Sequence, residues 1–161
     1  MEVSPQAGFV TETIDRYADM VVRVAYQNLK SKEDAEDIAQ EVFIKLLKQR
    51  VFNGDEHVKA WLLRVTVNLC KNHRRMLWRH KPPPVMEEWA EFSDEEQRVL
   101  DLIWSLKATY RNVIYLYYYE GYTTTEIANI LKMNEKTVWS RLSRGREKLK
   151  DILLGNCEIR G

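Results

Sequence analysis

The sequence predicts an all-α protein: two small helical domains joined by a proline-rich acidic linker, the second carrying a helix-turn-helix. Three observations lead there. Apolar residues recur at three- and four-residue spacings on both sides of residues 81–92, and no strand-period alternation competes with them. Lys81-Pro-Pro-Pro-Val85 holds three of the four prolines; proline fixes φ and lacks an amide donor, so neither a helix nor a central strand runs through it. Residues 123–132, the short turn Met133-Asn134 and a further helical run have the punctuation of two helices joined by a tight turn.

In chain order, the first helix is expected over roughly 9–29, with Phe9, Ile14, Tyr17, Met20, Val21, Val24 and Ala25 on its apolar side. The second starts at Ser31, where Ser31-Lys-Glu-Asp34 suits a capping box, and runs to about Gln49. Gly54 marks a break, and the third helix extends from about His57 to His80. Residues 81–92 read as an extended linker stiffened by polyproline geometry. They separate a domain at 1–80 from one at 93–161, each near the lower size limit for independent folding. Ser93-Asp-Glu-Glu96 is another cap-like start, and helices follow at 94–106, 110–119, 123–132 and 135–153. Gly121 suits a left-handed helix stop, Thr123-Thr-Thr-Glu126 a helix start, and Asn134 a cap. Residues 113–119 are rich in β-formers and pull locally against the helical assignment.

Charge and cysteine usage exclude several classes. Lys plus Arg number 25 and Asp plus Glu 24, a net charge of +1, which argues against a polycation that coats nucleic acid. The balance is uneven along the chain: 14 basic and 11 acidic residues up to Lys81, one and six over 82–100, ten and seven beyond. No secretory signal is visible, and the longest apolar run is the seven residues 113–119, against about 20 for a membrane span. Cys70 and Cys157 are far apart and form no CxxC pair, so a reducing cytoplasm is the simplest location.

Three helical faces carry the functional reading. On the third helix, Asn68, Lys71, Arg75, Trp78 and Arg79 fall within about 60° of Arg64 at 100° per residue. Val58, Leu62, Val65, Leu69 and Met76 gather on another side as the expected core face. Trp61 and Trp78 border the basic side, where cations can meet phosphates and indoles can stack on unpaired bases. A solvated face edged by core tryptophans is the plain alternative. On the second helix, Ala35, Ile38, Ala39, Val42 and Leu46 make the core stripe, with Phe43 at its edge. Asp37, Gln40, Glu41, Ile44 and Lys48 face elsewhere, with Leu47 beside them. Apolar Ile44 and Leu47 on a polar side suit a partner protein; a wide contact with the first helix explains them as well. On the last helix, Val138, Leu142, Gly145, Leu149 and Ile152 point inward. Lys136, Thr137, Ser140, Ser143, Arg144 and Glu147 point outward, which suits a helix that reads a major groove; a generic αα-hairpin is the plain alternative.

Enzyme and metal chemistry find little footing. Cys70-x-x-His73, with His80 two turns on, lacks the second pair of ligands that zinc wants. His73 projects toward the apolar stripe and reads as a satisfied, partly buried histidine. Asp34, Glu36, Asp37 and Glu41 form a dense acidic group with no ligand pattern. No phosphate-binding glycine loop, HExxH or GxSxG is present. The expectation is therefore no catalytic residues, no metal and no cofactor.

Taken together, these residues resemble a known family. Asp34-Ala-Glu-Asp-Ile-Ala-Gln-Glu-Val-Phe43 resembles the core-polymerase-binding motif of bacterial sigma factors. Lys59-Ala-Trp-Leu-Leu-Arg-Val-Thr-Val-Asn68, with Asn72 and Arg74-Arg75, resembles their promoter-melting helix. Residues 122–149, with Glu126-Ile-Ala128, Thr137-Val138, Ser140-Arg-Leu142 and Arg144, resemble their carboxy-terminal helix-turn-helix. The order, spacing and short two-domain layout are similar to the extracytoplasmic-function (ECF) subfamily.

The resemblance implies a non-enzymatic cytoplasmic initiation factor. Asp37, Gln40, Glu41, Ile44 and Leu47 would dock on the β′ clamp helices of core RNA polymerase. Trp61, Arg64, Asn68, Lys71, Asn72 and Arg75 would bind the non-template strand of the minus-ten element, and Asn53, Gly54 and Asp55 would help hold a flipped base. Lys136, Thr137, Trp139, Ser140, Ser143 and Arg144 would enter the major groove at the minus-thirty-five element. The linker would thread polymerase near the RNA exit path. The β flap, promoter DNA and an anti-sigma factor would be further partners, and no part would insert in a membrane. Trp139 departs from the pattern, since relatives often carry Lys or Arg there; contact with a sugar or thymine methyl and burial against Arg146 are its two readings. An autonomous helix-turn-helix regulator acting without polymerase, and a helical protein-binding adaptor, are the competing functions.

Overall fold

The computed structural model describes residues 5–49, 52–77 and 93–154. The chain divides into two compact units, Met1–Glu87 and Glu88–Gly161. Among the described residues all regular structure is helical. Trp78, Arg79, His80, the linker at 81–92 and Cys157 lie outside the described residues.

The first unit contains α1 (Pro5–Leu29), α2 (Lys32–Lys48) and α3 (Asp55–Leu77), each packed on the other two. The turn between α1 and α2 is tight. Lys30 adopts a left-handed φ of 61°, its amide donates to Tyr26 O at 2.8 Å, and Ser31 Oγ accepts from the Asp34 amide at 3.3 Å. That is the serine half of the expected capping box. The Asp34 carboxylate instead lies 3.7 Å from His73 Nε2, between α2 and α3. The core of α2 is the stripe Ala35, Ile38, Ala39, Val42 and Leu46.

The buried stripe of α3 is rotated from the one its apolar spacing suggests. Leu63, Thr66 and Cys70 join Val58 and Leu62 in the interior, Val65 and Leu69 are half-buried, and Met76 is 72% exposed. Thr66 is buried without penalty because its hydroxyl donates to Leu62 O at 2.6 Å. Near the end of α3 it is Arg74, not Met76, that turns inward. Its Nη1 donates to Asn28 Oδ1 at 2.8 Å and to Asn28 O at 3.4 Å. A guanidinium is favoured there because the carbonyls at the end of α1 carry the negative end of its dipole.

The second unit contains α4 (Asp94–Trp104), α5 (Ala108–Ile114), α6 (Thr124–Leu131) and α7 (Glu135–Leu153). The β-former run is helical: α5 continues into a π-helical turn, Tyr115–Tyr119, with Val113, Ile114, Tyr115 and Leu116 buried. Packing of this apolar stretch overrides its local preference. The wide turn closes when the Glu120 amide donates to Tyr115 O at 3.1 Å, and Gly121 supplies the left-handed φ of +78° that reverses the chain. A complete capping box then starts α6: the Glu126 amide donates to Thr123 Oγ1 at 3.1 Å and the Thr123 amide to Glu126 Oε1 at 2.9 Å. Lys132 at φ 56° ends α6, and Asn134 Oδ1 accepts from the Lys136 amide at 2.7 Å to start α7.

Inside this unit Ile127, Ala128 and Ile130 of α6 are buried, as are Val138, Leu142 and Gly145 of α7. Gly145 permits a close approach to α5: a Cβ there would sit 3.1 Å from both Ile114 Cγ1 and Cδ1.

Candidate partner-docking and nucleic-acid faces

The outer side of α2 is acidic and apolar at once. Asp37, Gln40 and Glu41 are exposed, and Ile44 and Leu47 are each 53% exposed. Ile44 and Leu47 line an open groove of about 580 Å³ together with Ala18 and Val22 of α1 and Ala39 and Phe43 of α2. The wide α1–α2 contact that would have absorbed Ile44 and Leu47 therefore leaves both half in solvent.

The loop before α3 is held from three directions. Asp55, the first residue of α3, accepts from Arg16 Nη1 at 2.9 Å and from the Tyr17 hydroxyl at 2.5 Å. The Tyr17 bond, reinforced by Arg16, lowers the Asp55 carboxyl below its ordinary value. Burial, with the bond to Asp55, pushes the Tyr17 phenol up to about 12. The Asn53 amide donates to His57 Nδ1 at 2.8 Å, and Phe52 meets the rings of Phe9, His57 and Trp61 at centroid distances of 5.9, 5.2 and 5.6 Å. Gly54 takes φ +100° in this tight entry. Of the three loop residues singled out in the sequence, the carboxylate of Asp55 is thus engaged with α1, while Asn53 and Gly54 are exposed.

Along α3, Asn68, Lys71, Asn72 and Arg75 are exposed and Trp61 and Arg64 half-buried. Arg74, quoted in the motif beside Arg75, is half-buried and bonded to Asn28. Cys70 is buried and burial raises its thiol to about 12, which removes it from nucleophilic or metal chemistry near neutral pH. Among the described residues no cluster of three His, Cys, Asp or Glu side chains is arranged to hold a metal.

On α7, Lys136, Ser140, Ser143 and Arg144 are exposed, Thr137 is half-buried, and Trp139 is 49% exposed. Lys136, Thr137, Ser140, Arg141 and Arg144 share an open basic depression of about 420 Å³ with Thr109 and Tyr110 of α5. The two α5 residues escape a sequence reading, because nothing in the local pattern says that α5 reaches α7. Tyr110 is further marked by Lys148, whose Nζ lies 5.9 Å from its ring centroid. Arg146 does not cover Trp139. Its Nε donates to the Tyr118 hydroxyl at 2.5 Å, and its guanidinium lies 5.5 Å from the Tyr117 and Tyr118 ring centroids.

Two family descriptions match the chain in succession. The family description "Sigma-70 region 2" matches residues 13–80, and "Sigma-70, region 4" matches residues 96–149. The ECF RNA polymerase sigma factor SigE of Mycolicibacterium smegmatis is 31% identical over 88% of this chain, which spans 60% of that protein's length. The ECF RNA polymerase sigma factor SigW of Bacillus subtilis is 30% identical over 88% of this chain and 87% of its own. Among solved structures, the sigma factor RpoE in complex with the anti-sigma factor NepR from Bartonella quintana aligns with a TM-score of 0.74 at 21% identity, covering 89% of this chain and 95% of that one. CnrH, in complex with the cytosolic domain of CnrY, aligns with a TM-score of 0.64 at 24% identity, covering 89% and 86%. At these identities the structural matches show a shared fold.

Proposed function

The chain belongs to the ECF family of RNA polymerase sigma factors, and from that premise we propose how its two units divide the work of directing polymerase to promoters. In the first unit, Asp37, Gln40, Glu41, Ile44 and Leu47 on α2 dock core RNA polymerase at its β′ clamp helices. Trp61, Arg64, Asn68, Lys71, Asn72 and Arg75 on α3 hold the opened non-template strand of the minus-ten element. Asn53 and Gly54 form the lip that receives a flipped base, and Asp55 fixes that lip to α1. In the second unit, Lys136, Thr137, Trp139, Ser140, Ser143 and Arg144 of α7 read the minus-thirty-five duplex. RNA synthesis remains with polymerase, and the chain acts in the cytoplasm. The β flap is a further contact of the second unit, and an anti-sigma factor regulates the chain by covering its faces; the matched RpoE is in complex with one.

The observation that carries this reading is the outer side of α2. Two aliphatic side chains, each 53% exposed among acids, suit a partner protein. An autonomous duplex-binding regulator has no use for that surface or for a second basic helix bordered by Trp61. The test is transcription in vitro with purified core polymerase and genomic promoter fragments. The chain should direct initiation from discrete sites, and Ile44→Asp with Leu47→Asp should abolish initiation while circular dichroism remains helical. A folded protein that binds no core polymerase and starts no transcript would falsify the proposal.

A further inference from the structure

We propose that Trp139 reads the C5 methyl group of a thymine in the upstream promoter element, and so sets sequence preference there; this rests on the duplex-binding reading of α7 above. Trp139 is the fifth residue of α7 and lies within its first two turns, the part of a recognition helix that meets base edges. Lys136, Ser140 and Ser143, its outward neighbours on the helix, are all exposed.

The indole is half in contact and half in solvent, at 49% exposure. It lines an open depression of about 410 Å³ together with Tyr117, Tyr122, Thr123 and Thr124. Arg146, two turns further along α7, is committed to Tyr117 and Tyr118. The half of the indole left in solvent is open to whatever α7 docks against. The two flanks of α7 differ in kind: Arg141 and Arg144 line the basic depression toward α5, while Trp139 occupies the flank toward the start of α6. Cations on one flank suit phosphates. An indole offers one donor and a broad apolar surface, and the only apolar group that the major groove displays is the thymine methyl.

The test uses full-length protein assembled with core polymerase. Promoter duplexes randomised in the upstream element are enriched for holoenzyme binding, and each thymine of the selected duplex is then replaced by deoxyuridine, which removes the methyl alone. One replacement should weaken binding about four-fold, the factor corresponding to burial of one methyl-sized group. With Trp139→Ala the same thymine and deoxyuridine duplexes should bind equally. This comparison holds whatever the variant does to overall affinity, and the unaltered protein supplies the primary result. The inference is overturned if no thymine is distinguished from deoxyuridine, or if Trp139→Ala distinguishes them as well as the parent does. An equal loss on both duplexes with Trp139→Ala, without discrimination by the parent, assigns the indole to the sugar-phosphate backbone and also overturns it. If no upstream sequence is enriched at all, the duplex-binding reading of α7 fails first.

Discussion

The carboxylate of Asp55 accepts bonds from Arg16 and Tyr17, side chains 39 and 38 positions earlier. The folded state lowers the Asp55 pKa, so this contribution is present above the ordinary carboxyl range and is lost as pH falls through the lowered value. The Tyr17 pKa is raised, so its contribution is complete below the ordinary phenol value near 10 and disappears as pH rises toward about 12. The denaturation midpoint of the parent should exceed that of Tyr17→Phe across neutral pH, and the difference should shrink in both acid and alkali. Asp55→Asn should remove the acid limb of that difference, as chemical denaturation over a pH series would show. A sequence reading finds Asp55 but not its engagement, because helical periodicity says nothing about partners so far apart. Arg74 shows the same limit. Quoted beside Arg75 in the promoter-melting motif, it turns instead toward Asn28, whose side-chain oxygen accepts from it at 2.8 Å. By contrast, the buried stripe of α2 was fully legible, since each of its five members is apolar and none depends on a distant polar partner.

Helices were easier to read than the joins between them. Thr123, Glu126 and Asn134 act through neighbours two or three residues away, and their caps form where the local code places them. The π-helical turn was not legible: it arises from packing Tyr115 and Leu116 inward, and β-forming composition disguises it. The α5–α7 contact yields a graded prediction at Gly145. A methyl there meets Ile114 at 3.1 Å, an overpacking cost of about 1–3 kcal/mol, while replacing glycine within a helix returns about 1 kcal/mol. Gly145→Ala should therefore be no more than mildly destabilising in urea titrations. Gly145→Val gains less helix propensity and adds two further carbons, so it should cost about 3 kcal/mol and weaken upstream duplex binding by displacing α7.

At the scale of the whole molecule, a net charge of +1 conceals two mildly basic parts and an acidic segment between them. Binding by either unit should accordingly be modest alone and strong only when polymerase presents both to one promoter. Arg144→Ala should lower upstream duplex affinity about ten-fold or more in mobility-shift assays of the holoenzyme, consistent with one lost arginine contact. Arg64→Ala and Asn68→Ala should leave that step nearly intact and reduce permanganate reactivity of unpaired thymines in the open complex. If all three variants shift both readouts together, the division of roles between the units is wrong. Cys70 carries a separate consequence. Its thiol is sealed in the first unit and held protonated near neutral pH. In a chain with Cys157 changed to Ser, the rate at which a thiol reagent labels Cys70 becomes a clock for the opening of the unit that buries it.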